Sequence, residues 1–243
     1  MFEPNLTVLE QAGSTQDIAR RMAADGAPSG TAVMALSQVH GRGRSGAAWY
    51  SPPGKNIALS VIIRLSLEIR RAPLIGLLAS ISVATLIESL CDPVKAFLKW
   101  PNDVLVQDKK ISGILSEARI VDTNLEFIVL GIGININSGV NDFPEQLKDS
   151  LTSSFILTGR TFDIRAVGNN LLKILGDSIL KVEKEGLDFV PLAWENRWLH
   201  KGCKLMRDNV RGTAAGIDLD GSLLLKLDDG TIAKISSGPL FSA

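Results

Sequence analysis

The sequence predicts an α+β fold, a sheet covered by helices and followed by a small β-barrel, and three observations predict it. Strand-like apolar runs recur through the first half, and residues 56–64 are so continuously apolar that a sheet buried under helices is expected. Two long stretches, residues 73–90 and 164–182, carry apolar side chains at three- and four-residue spacing, the signature of helices packed on one face. Beyond Lys201 the pattern breaks into short runs separated by Asp208-Asn209, Asp220-Gly221 and Asp228-Asp229-Gly230, which are hairpin signals. The expected division is one large domain, residues 1–198, and a small one, residues 199–243.

Composition narrows the function classes. Of the 243 residues 45% are apolar and 21% charged, and 26 basic residues balance 26 acidic ones, so bulk charge gives no footprint for nucleic acid. Cys91 and Cys203 lie far apart without metal-ligand spacing, which points to neither a disulfide framework nor a zinc site and fits a reducing compartment. The first residues lack a basic stretch followed by an apolar one, and no uncharged run of membrane-spanning length follows. A cytoplasmic protein, with no membrane partner, is expected.

In chain order, residues 6–11 read as a strand, broken at Gly13-Ser14-Thr15, where Ser14 offers a helix N-cap. Ile18, Ala19 and Met22 then set a helical period that Asp25-Gly26 closes. A second strand, residues 31–37, ends at Gln38. Between it and the strand at 56–64 lies a run that cannot be regular structure: Gly41, Gly43 and Gly46 alternate with Arg42 and Arg44 and lead to Trp49, Pro52, Pro53 and Gly54. Glycine admits close approach of backbone to ligand, guanidinium forks suit carboxylate or phosphate oxygens, and an indole offers a flat face to a ring. The helix at 73–90 starts on Pro73 and stops at Cys91-Asp92-Pro93. Next, Lys99-Trp100-Pro101-Asn102-Asp103 interrupts two strand-like runs, the proline denying a ladder donor and leaving Asn102 and Asp103 to point into a site. A tight turn at Gln107-Asp108-Lys109 brings in a strand with Lys110 and Gly113. From Gly131 alternation is strict: Ile132, Ile134 and Ile136 share one face, and Gly131, Gly133, Asn135 and Asn137 the other, with room for a planar ring beside the backbone. This is no dinucleotide fingerprint, since no GxGxxG precedes a helix. Residues 141–161 are loop-like, Asp163 caps the helix that follows, and residues 189–199 read as a helix whose Trp194 and Trp198 pack the core or a domain seam.

Three of these stretches, in this order, resemble the biotin protein ligases. Their signature GRGRxGRxWxSPxGxN is matched at Gly41-Arg42-Gly43-Arg44-Ser45-Gly46, Trp49, Ser51-Pro52, Gly54 and Asn56, except that Ala47 stands where the family usually has arginine. KWPND at residues 99–103 is followed eleven residues after its lysine by Lys110 and then Ile111-Ser112-Gly113-Ile114-Leu115, and GxGxN falls at residues 131–135. The resemblance implies a central mixed β-sheet flanked by helices and a small C-terminal SH3-like β-barrel. It also implies ATP-dependent activation of biotin to biotinyl-5′-AMP, with Mg²⁺, and transfer to a lysine of a biotin carboxyl carrier protein domain. By the same resemblance Ser14, Thr15, Gln16, Gln38, Arg42, Gly43, Arg44 and Lys110 hold biotin; Trp49, Asn102, Asp103, Lys110 and Asn135 serve ATP; Asp103 serves the metal; and Lys110 and Arg44 are catalytic. Rivals are a lipoate or octanoate ligase on the same fold, a DNA-binding regulator, and an inactive binding module. Too few residues precede Ser14 for a helix-turn-helix, so no DNA partner is expected, and an edge-strand homodimer is left open.

Overall fold

The computed structural model describes residues 1–238 and 241–242, apart from the side chains of residues 45, 241 and 242. Strand β1 (Asn5–Ala12) leads through Gly13 into α1 (Thr15–Ala24), and β2 (Thr31–Gln38) and β3 (Ile57–Ile63) flank the glycine-rich run. Helix α2 (Pro73–Leu90) follows, then β4 (Phe97–Lys99), β5 (Asp103–Val106), β6 (Lys109–Val121) and β7 (Asn124–Ile134). Next come α3 (Ser154–Thr158), α4 (Ile164–Glu185) and α5 (Val190–Glu195). The chain ends in β8 (Lys204–Arg207), β9 (Val210–Ile217), β10 (Leu223–Lys226), β11 (Ile232–Ile235) and β12 (Phe241–Ser242).

Seven strands form one sheet in the order β1-β2-β3-β7-β6-β5-β4. Only β1 and β2 run parallel, with α1 as their crossover, and the other neighbours are antiparallel, so the sheet is mixed. The period-2 alternation divides its residues cleanly. Leu59, Val61, Ile128, Leu130, Ile132 and Ile134 join α2 and α4 in the main core, while Ile62, Phe127 and Val129 meet Ala19 and Ala23 of α1 on the other face. Helix α1 is only ten residues long, so it covers part of that second face and leaves the rest open.

The second sheet is antiparallel in the order β11-β10-β9-β8-β12. Among the described residues β11 and β12 are its two edges, so the expected barrel is an open sheet of SH3-like size rather than a closed cylinder. It docks on the first sheet through Trp100, whose indole N–H donates to the Gly221 carbonyl at 3.0 Å, and on α5 through Glu195, whose Oε1 accepts from the Ile217 amide at 2.8 Å.

One further expectation is corrected. The helix read over residues 189–199 stops at Glu195, because Arg197 and Leu199 exchange backbone hydrogen bonds with Leu98 at the edge strand β4. Tertiary pairing outweighs local propensity there. Trp194 and Trp198 remain core residues, 5.7 Å apart between ring centroids. The segment Ile69–Leu90 is, by length and composition, apolar enough to cross a membrane, although Arg70, Arg71 and Glu88 interrupt it and it holds no uncharged run of that length; in this fold most of it is buried inside the protein.

Candidate active site

The uncovered part of the sheet face is a cleft, and its floor is made by register. Ala58 of β3 lies beside Gly133 of β7, which lies beside Gly113 of β6. The adjacent row is Ser60, Gly131 and Leu115. The first row has almost no side chains, so a flat group can lie directly on backbone. In this structure that group is the indole of Trp49: a Cβ built on Gly133 would stand 2.3 Å from the ring, and one on Gly113 3.3 Å. Its Nε1 is buried without a hydrogen-bond partner among the described residues.

Over the second row sits a closed polar network. Gln38 Oε1 accepts from both the amide (2.9 Å) and the hydroxyl (3.0 Å) of Thr15, and that hydroxyl lies 3.0 Å from Ser60 Oγ. Ser60 donates to Gln16 Oε1 at 3.0 Å, and Gln16 Nε2 donates to Glu117 and to the Val129 carbonyl, each at 3.1 Å. Ser14 stands at the N-cap position of α1, but its hydroxyl makes no capping bond; it is buried and lines the cleft. Ser60 and Glu117 escaped sequence reasoning. A hydroxyl inside the apolar run of β3 was the available signal, whereas a glutamate within β6 gave none.

The glycine-rich run is the roof. Gly43 donates its amide to Ala47, Ala47 to Arg44 and Trp49 to Gly41, folding residues 41–49 back on themselves. Arg42 ties this roof to α1 by a 2.6 Å ion pair with Asp17, a third residue the sequence did not announce. Arg44 Nη1 reaches Asn102 Oδ1 at 3.4 Å, a long contact, and burial foremost disfavours its charged form, opposed by Asp103 and reinforced by Arg207.

Lys110 pairs with Asp103 at 2.7 Å and lies 5.8 Å from the centroid of the Trp49 ring. Asp103 reaches it because a bulge between Val104 and Leu105 offsets β5 against β6. Asn102 donates to the Ile114 carbonyl at 3.0 Å. Together Ser14, Thr15, Gln16, Gln38, Arg42, Gly43, Arg44, Trp49, Asn102, Asp103 and Lys110 line one cavity of about 220 Å³. Asn135 does not join them. Strand β7 ends at Ile134, and the Asn135 amide, 1% exposed, donates to the Thr152 carbonyl at 3.0 Å while its backbone amide donates to the Ile111 carbonyl. It thereby fixes the backbone beside Lys110 instead of facing the cleft. Among the described residues no group of three His, Cys, Asp or Glu side chains could hold a metal ion, and Asp103 is the one carboxylate in the cleft wall.

A mixed sheet with a glycine roof over a cleft that is neutral and polar at one end and cationic at the other defines a class of enzyme. By its chemistry such a cleft has hydrogen-bonding groups suited to an uncharged polar ring and cations suited to an acid group. The chain belongs to the biotin/lipoate A/B protein ligase family, whose model matches residues 8–135. Residues 203–239 match the biotin protein ligase C terminal domain. The bifunctional ligase/repressor BirA of Bacillus subtilis is 35% identical over 231 residues, covering 93% of this chain and 70% of that protein. The biotin–[acetyl-CoA-carboxylase] ligase of Mycobacterium tuberculosis is 29% identical, covering 96% of this chain and 87% of that one. Among solved structures, the biotin protein ligase from Aquifex aeolicus in complex with biotin and ATP superposes with a TM-score of 0.81 at 30% identity, covering 98% of this chain and 99% of that one.

Proposed function

We infer that this chain is a biotin protein ligase, which joins biotin to ATP as biotinyl-5′-AMP and then to a lysine of a biotin carboxyl carrier protein domain. One observation carries the reading: a buried network of neutral donors and acceptors shares a single cavity with Lys110, Arg44 and Arg42. Hydroxyls and amides from Ser14, Thr15, Gln16 and Gln38 suit the ureido ring, since burying neutral polar groups costs little once each is bonded. The cations suit the valerate carboxylate and the phosphate it attacks.

In the first step a biotin carboxylate oxygen bonds to the α-phosphorus of ATP and the bond to the β-phosphate oxygen breaks, releasing pyrophosphate. Both reactants are anions, so their approach needs fixed positive charge that costs no reorganisation. Lys110, now held by Asp103, would turn to the α-phosphate, and Arg44 on the roof would bind the same group from above. Asp103 and Asn102 would stand beside a nucleotide-borne Mg²⁺, whose chemistry would be to neutralise phosphate charge. Trp49 would meet the adenine over the floor of Gly113 and Gly133, and Asn135 would support that wall from behind. In the second step the neutral amine of the acceptor lysine attacks the biotinyl carbonyl carbon, AMP leaves and a proton is released. Meanwhile the roof shields the mixed anhydride from water.

The cytoplasm is the setting we propose. A lipoate or octanoate ligase is the second reading that the family allows, and the match at residues 203–239 favours biotin. Biotin-dependent exchange of labelled pyrophosphate into ATP tests the first step. Exchange with biotin and not with lipoate or octanoate is expected; exchange with lipoate alone would replace the reading.

A further inference from the structure

Four oxygens stand in a row at the neutral end of the cleft, and too few protons lie between them. Gln16 Oε1, Ser60 Oγ, Thr15 Oγ1 and Gln38 Oε1 follow one another at 3.0 Å, three contacts that each need a proton. The hydroxyls of Ser60 and Thr15 supply only two. The ends of the row add none. The Thr15 backbone amide, which can only donate, holds Gln38 Oε1 at 2.9 Å, and Gln38 Nε2 is turned toward Gly41, where a built Cβ would stand 2.8 Å from it. At the other end Gln16 Nε2 donates to the Val129 carbonyl and to Glu117 Oε2, each at 3.1 Å, which leaves its oxygen facing Ser60. However the two hydroxyls turn, one oxygen pair has no proton from the described residues between its members.

Turning the Gln16 amide over would cure the shortage. Its Nε2 would then donate to Ser60, Ser60 to Thr15 and Thr15 to Gln38, so that the protein alone would satisfy every contact in the row. Two acceptors behind the amide oppose this, because its oxygen would then face the Val129 carbonyl and the Glu117 carboxylate. They are register partners on β7 and β6. The carbonyl is main chain and stays whatever the sequence, so the side chain that decides is Glu117. It does not line the cavity, and among the described residues its carboxylate bonds Gln16 alone.

We propose that Glu117 is a positioning residue for substrate selection: by holding the Gln16 oxygen inward it keeps the row one proton short, and a ligand that brings a ring N–H completes it. A ureido ring brings such a group on both nitrogens; a dithiolane or an alkyl tail brings none. The proposal rests on the ligase reading above. Glu117→Gln keeps the size of the side chain but can donate to a turned Gln16. Calorimetry without ATP is expected to show biotin bound about tenfold more weakly, while the ATP KM and the thermal midpoint hold, since the turned row satisfies itself. Cyclic carbamates, in which a ring oxygen replaces one ureido N–H of biotin, read the selection directly. One of the two isomers should bind the parent at least about tenfold more weakly than biotin does, and that gap should shrink to about twofold in Glu117→Gln. Glu117→Asp, which still only accepts, should keep most of the gap. Unchanged biotin affinity or an unchanged carbamate gap in Glu117→Gln overturns the proposal. If the parent binds no biotin and shows no biotin-dependent exchange, the ligase reading falls instead, and NMR of the ligand-free proteins decides alone. Nuclear Overhauser contacts from the Gln16 NH₂ group to Val129 in the parent and to Ser60 in Glu117→Gln uphold the role of Glu117, and the same contacts in both remove it.

Discussion

Gly131 shows how much a single hydrogen atom carries in this cleft. A Cβ there would stand 2.7 Å from Gln16 Oε1, so Gln16 would have to leave Ser60, Glu117 and the Val129 carbonyl. Gly131→Ala is therefore expected to raise the biotin KM at least about tenfold, as the loss of two or three buried hydrogen bonds implies, with the ATP KM less affected. Steady-state kinetics with each substrate varied in turn checks it, and equal effects on both would place Gln16 outside the biotin pocket. At this scale the sequence is readable where a residue type is unusual for its setting. Gly41, Gly43, Arg42, Arg44 and Lys110 announced themselves by motif. Asn135 fell on the expected face by alternation, yet its amide is taken by Thr152, a contact across residues that no local pattern encodes. Ser60, Asp17 and Glu117 owe their roles to partners 44, 25 and 101 positions away.

Among the elements, α2 was the most legible. Its span, residues 73–90, is the one the periodicity and Pro73 predict, because a helix buried on most sides writes its length into an apolar run. Helix α5 was the least legible, since the edge of β4 captures the chain after Glu195. The stretch just after α5 is joined to α2 by an ion pair: Arg197 Nη1 donates to Glu88 Oε1 at 2.7 Å, at the last turn of α2, and the Ala96 amide donates to the same oxygen. The Arg197 bond chiefly, with help from Ala96, holds the Glu88 carboxyl below its usual range. A carboxylate with a depressed folded-state pKa adds stability above its unfolded value and loses it as pH falls through the folded one. Glu88→Gln is thus expected to cost about 1 kcal/mol at neutral pH, with the gap to the parent closing in acid. Thermal melts from neutral pH down through the carboxylate range check this, and a gap that persists in acid would assign the cost to packing.

Across the whole molecule, the two sheets are coupled through Trp100, which is 3% exposed and donates to Gly221. Trp100→Phe leaves that carbonyl without its donor, a loss of about 1–3 kcal/mol, and loosens the seam beside Arg44. A lower thermal midpoint is expected together with a raised ATP KM and a nearly unchanged biotin KM; a lower midpoint with both constants intact would make the contact purely structural. The hairpin signals after Lys201 announced the second sheet, but not that it stays open, because the pairing of β12 with β8 is set by the fold of the last residues. The mixed order of the first sheet came from resemblance rather than from periodicity, which records faces and not neighbours. The row of Ala58, Gly133 and Gly113 has a practical corollary. A platform built of main chain offers little chemistry to edit, so redesign toward an unnatural acid would alter the start of α1 and the canopy formed by residues 41–49, and leave the slab beneath untouched.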